Sequence, residues 1–307
     1  MNIKSRGYLF ALLAVTIFAA QDGITKYLGD RYPPILVTMI RFWAFALFVS
    51  CLAATSSGGI RGAITTRRPW LQISRGILLV AEIVVIVFAY KTAGLAMSQS
   101  IFQVTPLFIT LLSVPLLGEK VGWKRASAVV VGLFGVLIII NPVDVHFDAS
   151  LLLPLTAAAM FALYSIATRA VSHEDSSTTS VFYAGVVGGL AISLIGPFYW
   201  TEVKPSDWYV LGALCVCGTL SHYFLIRAYA ILPAAELQPV TYLQLVLNVC
   251  IAVLFFGERV TTNMVAGALI VVGAGLFTVW REHQLARKTE AAAQRGQGDG
   301  ASGLGGG

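Results

Sequence analysis

Ten apolar runs, each close to the roughly 20 residues that cross a bilayer as a helix, leave this chain little choice of fold. They fall at 7–28, 34–54, 70–91, 94–117, 125–141, 150–171, 179–200, 207–230, 234–256 and 263–281. A backbone in hydrocarbon has to satisfy its own N–H and C=O groups, and within a segment of this length the α-helix does so. Composition agrees, with 57% hydrophobic and 12% charged residues, about half the charged share of a soluble domain. The expected fold is therefore an all-α polytopic membrane protein with ten transmembrane helices. Pro33-Pro34, Ser56 to Gly59, Gly118-Glu119, Asn141-Pro142, Pro205 and Pro233 punctuate the runs, and no gap between them is long enough for a soluble domain. Cys51, Cys215, Cys217 and Cys250 all lie inside runs and read as small packing residues.

The chain is also duplicated. Ala89 to Val121 recurs 139 positions later as Ala228 to Val260, and Ala89, Tyr90, Ala96, Gln99, Val114, Gly118, Glu119 and Val121 meet identical residues without a gap. Both copies run Ala-Tyr, an apolar stretch bearing amides, then Gly-Glu-Lys/Arg-Val. Ala14, Phe18, Ala19 and Thr25 likewise match Ala157, Phe161, Ala162 and Thr168 at an offset of 143. That echo, and an apolar character continuing past Asp22, make the first run a span rather than a cleaved leader. Two repeats are expected, 1–142 and 143–283, followed by a polar, then Gly-rich tail, 284–307, that reads as disordered or as an appended remnant.

Lys and Arg in the loops set the orientation. With the N-terminus inside, thirteen fall on the cytoplasmic side and five outside, so both termini are expected in the cytoplasm. The formal charge of +6 thus reflects membrane topology; the expected partners are the lipid bilayer and a small-molecule substrate, not nucleic acid. Five spans per half, an odd number, would place the halves upside down relative to each other. Inverted repeats of this kind are a recurring plan of secondary transporters, which open a midplane site to either side in turn. No Gly-x4-Gly-Lys-Ser/Thr cradle, metal cluster or catalytic constellation occurs, so neither an enzyme nor a cofactor is expected.

Polar residues inside spans mark the candidate cavity. In the fourth span Gln99, Gln103, Pro106, Thr110 and Ser113 recur at steps of 4, 3, 4 and 3, one helical face. Pro106 frees a backbone carbonyl and permits a kink. The ninth span answers with Gln238, Tyr242 and Asn248. Glu82 sits near the centre of the third span and His222 near that of the eighth, where they invite a proton relay or a grip on an ammonium group; a buried structural pair is the alternative. Tyr90, Tyr164, Tyr223 and Tyr242 offer aromatic faces with a hydroxyl. Asp22 and Lys26 stand four apart, as a helical ion pair would. Gly118-Glu119 and Gly257-Glu258 end corresponding helices, each glutamate pairing locally or capping the next helix, in a structural or gating role. Arg41 and Arg75 lie nearer span ends, which ranks phosphate-bearing cargo below zwitterionic or neutral metabolites. Ala184/Gly188, Gly185/Gly189 and Ala128/Gly132 suit close helix packing, within the bundle or in a weak homodimer.

Two copies of Ala-Tyr…Gly-Glu-Lys/Arg-Val, each followed by a Gly-rich helix (Gly132, Gly135; Gly267, Gly273, Gly275), resemble the drug/metabolite transporter superfamily. More narrowly, residues 5–282 are similar to its EamA-type ten-helix exporters, including the YddG amino-acid exporters. The resemblance implies a ten-helix inverted-repeat fold, a bacterial inner-membrane location and export of amino acids, aromatic ones included, or related metabolites. A carrier of sugar phosphates or nucleotide sugars, or a passive channel, is the alternative. The chain departs from the pattern where Pro106 is answered by Leu245, so the two halves are not expected to bend equally.

Overall fold

Proline placed where a helix can use it starts two of the spans: Pro34 and Pro69 stand in the first turns of α2 (Pro34–Thr55) and α4 (Pro69–Ala93), where their missing N–H costs nothing. The computed structural model of the protein describes residues 3–56, 58–117, 123–141, 148–171, 174–229, 231–232, 234–277, 280–281 and 284. Gly118, Glu119, the side chain of Gln238 and the tail from 285 lie outside the described residues. The remaining helices are α1 (Ile3–Gly29), a short α3 (Gly59–Ile64), α5 (Leu95–Phe102), α6 (Thr105–Leu117), α7 (Trp123–Ile140), α8 (Leu152–Val171), α9 (Ser177–Ile195), α10 (Asp207–Tyr229), α11 (Ala234–Phe256) and α12 (Thr262–Phe277). Among the described residues, seven helical segments are long and apolar enough to cross a membrane, and α7, α12 and the Tyr242–Phe256 part of α11 supply three shorter apolar ones. Each coincides with one of the ten expected runs. The protein is an all-α polytopic membrane protein.

The fourth run is two helices. Gly94, at φ +85, turns the chain sharply between α4 and α5, a conformation glycine adopts without strain. The second break, between α5 and α6, follows from Pro106, which cannot donate to the Phe102 carbonyl one turn back. That carbonyl accepts the Thr105 hydroxyl instead, at 2.6 Å. The helix resumes at once, with Leu107 N–H donating to the Val104 carbonyl at 2.9 Å. Thr110 and Ser113 bond back to their own helix, to the Pro106 and Thr110 carbonyls. The expected continuous polar stripe is therefore interrupted after Gln99, and its lower part is self-satisfied.

Exchanging the first five spans for the last five reproduces the packing. The principal partner of α1 is α10, and that of α8 is α4; α1 also packs on α11, as α8 does on α5 and α6. The α2–α9 contact maps onto itself. Small residues let these helices approach: Gly185, Gly188 and Gly189 face Val49, Phe42 and Ala46 of α2. Their four-residue spacing is thus used inside the chain. Gly135 and Gly267 do the same for α7 and α12, where a β-carbon on Gly135 would stand 2.9 Å from the Gly267 carbonyl oxygen.

Candidate functional site

One carboxylate gathers groups from both halves. Asp22, on α1 and buried, accepts through Oδ2 from Gln99 Nε2 of α5 at 3.1 Å, Gln244 Nε2 of α11 at 2.8 Å and Asn248 Nδ2 of α11 at 2.9 Å. The Tyr90 hydroxyl of α4 is an electrostatic neighbour of the same carboxylate and accepts from Gln99 Nε2. The expected Asp22–Lys26 pair does not form: Lys26 pairs with Asp30 at 2.8 Å, on the exposed end of the same helix. Lys26 lies one turn nearer the end of α1, its ammonium 5.9 Å from the Phe256 ring centroid, whereas Asp22 is buried.

Arg41 of α2, half-buried, and Glu82 of α4, buried, complete a group of three ionisable side chains. Each is an electrostatic neighbour of the other and of Asp22. Among the described residues Arg41 makes no direct ion pair with either carboxylate, and Glu82, 4% exposed, receives no hydrogen bond. Arg41 lines a small cavity with Phe42, Phe45, Leu79, Ile83, Cys215, Gly218, Thr219 and His222. Its volume is about 10 Å³, roughly the room one water needs. The imidazole of His222 is held by Phe18, edge-on at 5.1 Å, and Phe45, stacked at 5.7 Å. At about 1.5 Å per helical residue, Asp22 and Arg41 lie about 10 Å, and Glu82 about 16 Å, from the face where α1 ends.

The sequence candidates divide accordingly. Glu82, Tyr90, Gln99, Asn248 and His222 come together around this group. Gln103, at the break between α5 and α6, is half-buried and brings no side-chain bond to it. Tyr164 lies near the opposite face, under the Arg75 guanidinium at 5.3 Å. Tyr242 is buried against Gly275 of α12, and Tyr223 is 41% exposed on the bundle surface beside Phe224, where the lipid side of α10 explains it better than a cavity does. Gln244, and Arg41 placed by its sequence position near a span end, are members that sequence reasoning missed. Arg41 had one available signal: it lies as far inside α2 from the Gly29 face as Asp22 lies inside α1.

Polar contacts tie the halves at both faces. Near Gly29, the Glu258 carboxylate following Gly257 (φ +63) accepts from Leu95 N–H at 2.7 Å and Ala96 N–H at 2.9 Å. It caps α5 in the other half of the chain, not the next helix and not Arg259. A carboxylate on otherwise unpaired N-terminal amides is favoured by both the hydrogen bonds and the helix dipole. At the opposite face, Asp175 of the α8–α9 turn accepts from Thr66, from Arg67 N–H at 3.1 Å and from Gln72 Nε2 at 2.7 Å. Gln72 also bonds to the fully buried Arg75, whose Nε donates to Thr168 at 3.0 Å. Burial pushes the Asp175 carboxyl up, but these hydrogen bonds outweigh it and hold the group below its usual 3.8.

Comparison with known proteins gives the family. The model of the EamA-like transporter family matches twice, over residues 5–141 and 149–280. The chain is 27% identical over 276 residues to an S-adenosylmethionine uptake transporter of Rickettsia prowazekii, covering 90% of this chain and 93% of that protein. It is 28% identical to a riboflavin transporter of Vibrio cholerae (94% and 99% covered) and 24% identical to the pseudopaline exporter CntI of Pseudomonas aeruginosa (89% and 96%). A solved crystal structure shares the fold at a TM-score of 0.61 and 20% identity, covering 92% of this chain and 98% of that one.

Proposed function

The chain belongs to the EamA-like transporter family, small-metabolite carriers of the membrane, and on that premise we propose that it is a secondary transporter whose cargo bears an α-amino acid group. One observation carries the reading: Arg41, half-buried and an electrostatic neighbour of Asp22 and Glu82, makes a direct ion pair with neither among the described residues and lines the cavity beside His222 and Phe45. A guanidinium fork suits a carboxylate, an unpaired carboxylate such as Glu82 suits an ammonium, and Phe18, Phe45 and His222 offer aromatic faces to the rest of the molecule. S-adenosylmethionine, which the Rickettsia relatives are named for, contains such a group, and free amino acids are its simplest form. Phosphate-bearing cargo fits poorly, because one arginine shares its site with two negative charges.

The mechanism is alternating access. Space at Arg41 for about one water supports an occluding carrier over a standing pore, and packing that survives exchange of the halves supports two conformations of similar energy. In this reading 1–142 and 143–283 are inverted repeats in a bacterial inner membrane, and both termini are cytoplasmic. Export, the direction implied by resemblance, is narrower than the relatives allow: they include proteins named for uptake and one named for export. Counterflow of radiolabelled amino acids and S-adenosylmethionine in proteoliposomes tests the proposal. Arg41→Ala should lower the rate at least about tenfold at unchanged folded yield. A wild-type protein that moves no amino-acid-bearing compound, or an Arg41→Ala rate equal to wild type, overturns it.

A further inference from the structure

A second buried cation stands near the opposite face, and the candidate site does not use it. Arg75 of α4 is 2% exposed, and a guanidinium keeps its charge when buried. Among the described residues its hydrogen bonds run only to neutral oxygens, from Nε to the Thr168 hydroxyl at 3.0 Å and from Nη1 to Gln72 Oε1. A carboxylate reaches it at one remove: Gln72 Nε2 donates to Asp175 Oδ2 at 2.7 Å. The Thr66 hydroxyl donates to the same oxygen, and Arg67 N–H donates to Oδ1 at 3.1 Å. These donors come from one stretch, residues 66–72, and are ordered locally. Arg68 N–H donates to Thr66 Oγ1 at 3.1 Å, which leaves the Thr66 proton for the carboxylate, and Arg75 fixes which end of the Gln72 amide faces Asp175. The acceptor arrives from 103 to 109 positions away.

We infer that Thr66, Arg67 and Gln72, backed by Arg75, form a carboxylate-binding site that the Asp175 side chain fills in this conformation and that a carboxylate of the cargo takes when the α8–α9 turn withdraws. The inference rests on the transport reading above and adds a second station to it. A buried cation is costly without an anion near it. Departure of Asp175 therefore leaves Arg75 uncompensated and favours any carboxylate that replaces it. Position makes the cargo's carboxylate the available one. Arg75 and Glu82 are both buried and stand seven residues apart on α4, two turns, so they project from nearly the same face about 10 Å apart along the axis. Arg75 lies about 9 Å inside the start of α4 at Pro69, so cargo that passes the Asp175 turn meets it on the way to or from Arg41. The contacts that have to part there are few: beside Asp175, Glu174 pairs with Arg68 at 2.5 Å, and the Tyr183 hydroxyl donates to the Ile64 carbonyl at 3.0 Å. Exchange of one carboxylate for another lets this face open without stranding the guanidinium.

Melting of the full-length protein in detergent, in sodium acetate against sodium chloride at equal ionic strength, tests the site without reference to transport. Asp175→Ala empties it, so acetate should raise the melting temperature of this variant over chloride by about 2 °C or more. The wild type, whose site is filled, should show no such difference. Asp175→Asn leaves a neutral side chain in place; it should show a smaller effect of the same sign, and it serves if the alanine variant does not fold. Acetamide, which is uncharged, should not substitute for acetate, and Arg75→Gln in the Asp175→Ala background should abolish the effect. No acetate effect in either variant, an equal effect in the wild type, or an effect that survives Arg75→Gln overturns the inference. Sided counterflow tests the cargo's part. Arg75→Lys, which keeps the charge but not the fork, should raise the half-saturation constant several-fold for cargo presented from the Asp175 face and leave the Gly29 face unchanged; an equal change from both faces overturns the station on the path. Acetate binding by a protein that moves no amino-acid-bearing compound sinks the amino-acid reading and leaves the carboxylate site standing.

Discussion

Three amide donors converge on the Asp22 carboxylate, while Glu82, just as buried, receives no hydrogen bond among the described residues. The two should therefore respond differently to loss of charge. Asp22→Asn places an amide N–H among donors and should cost about 1–3 kcal/mol. Glu82→Gln removes no protein contact and relieves a carboxylate held at membrane depth, so the protein should melt at the same temperature or higher while transport falls. Thermal unfolding in detergent, paired with counterflow, checks both; an equal loss of melting temperature in the two variants would contradict this division. Polar residues in apolar runs were legible in the sequence as interior groups, which is why Glu82, Tyr90, Gln99 and Asn248, all of them buried, were named as cavity candidates. Asp22 was not, because a four-residue spacing to Lys26 invites a local pair, whereas its partners lie 77, 222 and 226 positions away. No local rule reaches that far.

At the scale of elements, the break that divides the fourth run into α5 and α6 places Gln99 on a helix of only eight residues. So short a helix depends on its ends. Glu258 supplies one of them, from the other half of the chain, through two backbone amides. Glu258→Ala should cost about 1–2 kcal/mol, as lost N-caps do, and should weaken cargo binding through Gln99. Glu258→Gln, which keeps an acceptor, should recover part of both. A half-saturation constant that rises while the maximal rate holds would identify positioning; melting without any change in binding would reduce the residue to a structural cap. The kink itself was legible from Pro106. Its detail was not, because the outcome depends on Thr105 satisfying the Phe102 carbonyl and on a glutamate 163 positions away.

For the molecule as a whole, packing is nearly symmetric under exchange of the halves, but chemistry is not: Asp22, Arg41 and Glu82 all belong to the first half of the chain. The two faces are joined by different locks, Glu258 on α5 and Asp175 on Thr66, Arg67 and Gln72. The second should be sensitive to acid. Because the native Asp175 carboxyl is held below 3.8, its contribution is present above that pH and is lost as pH falls through the lowered native value. The melting-temperature gap between wild type and Asp175→Ala should therefore be open at neutral pH and close in strong acid; a gap that is independent of pH would remove the carboxylate from this role. The convergence on Asp22 also has a consequence for biogenesis. Its last partner, Asn248, is synthesised 226 residues after it, which at about 5–20 residues per second is roughly 10–45 s. Until α11 enters the bilayer, α1 holds an acid that the first half of the chain satisfies only in part. A nascent chain arrested before α11 should be a substrate for membrane quality control, and one completed through α11 should escape it.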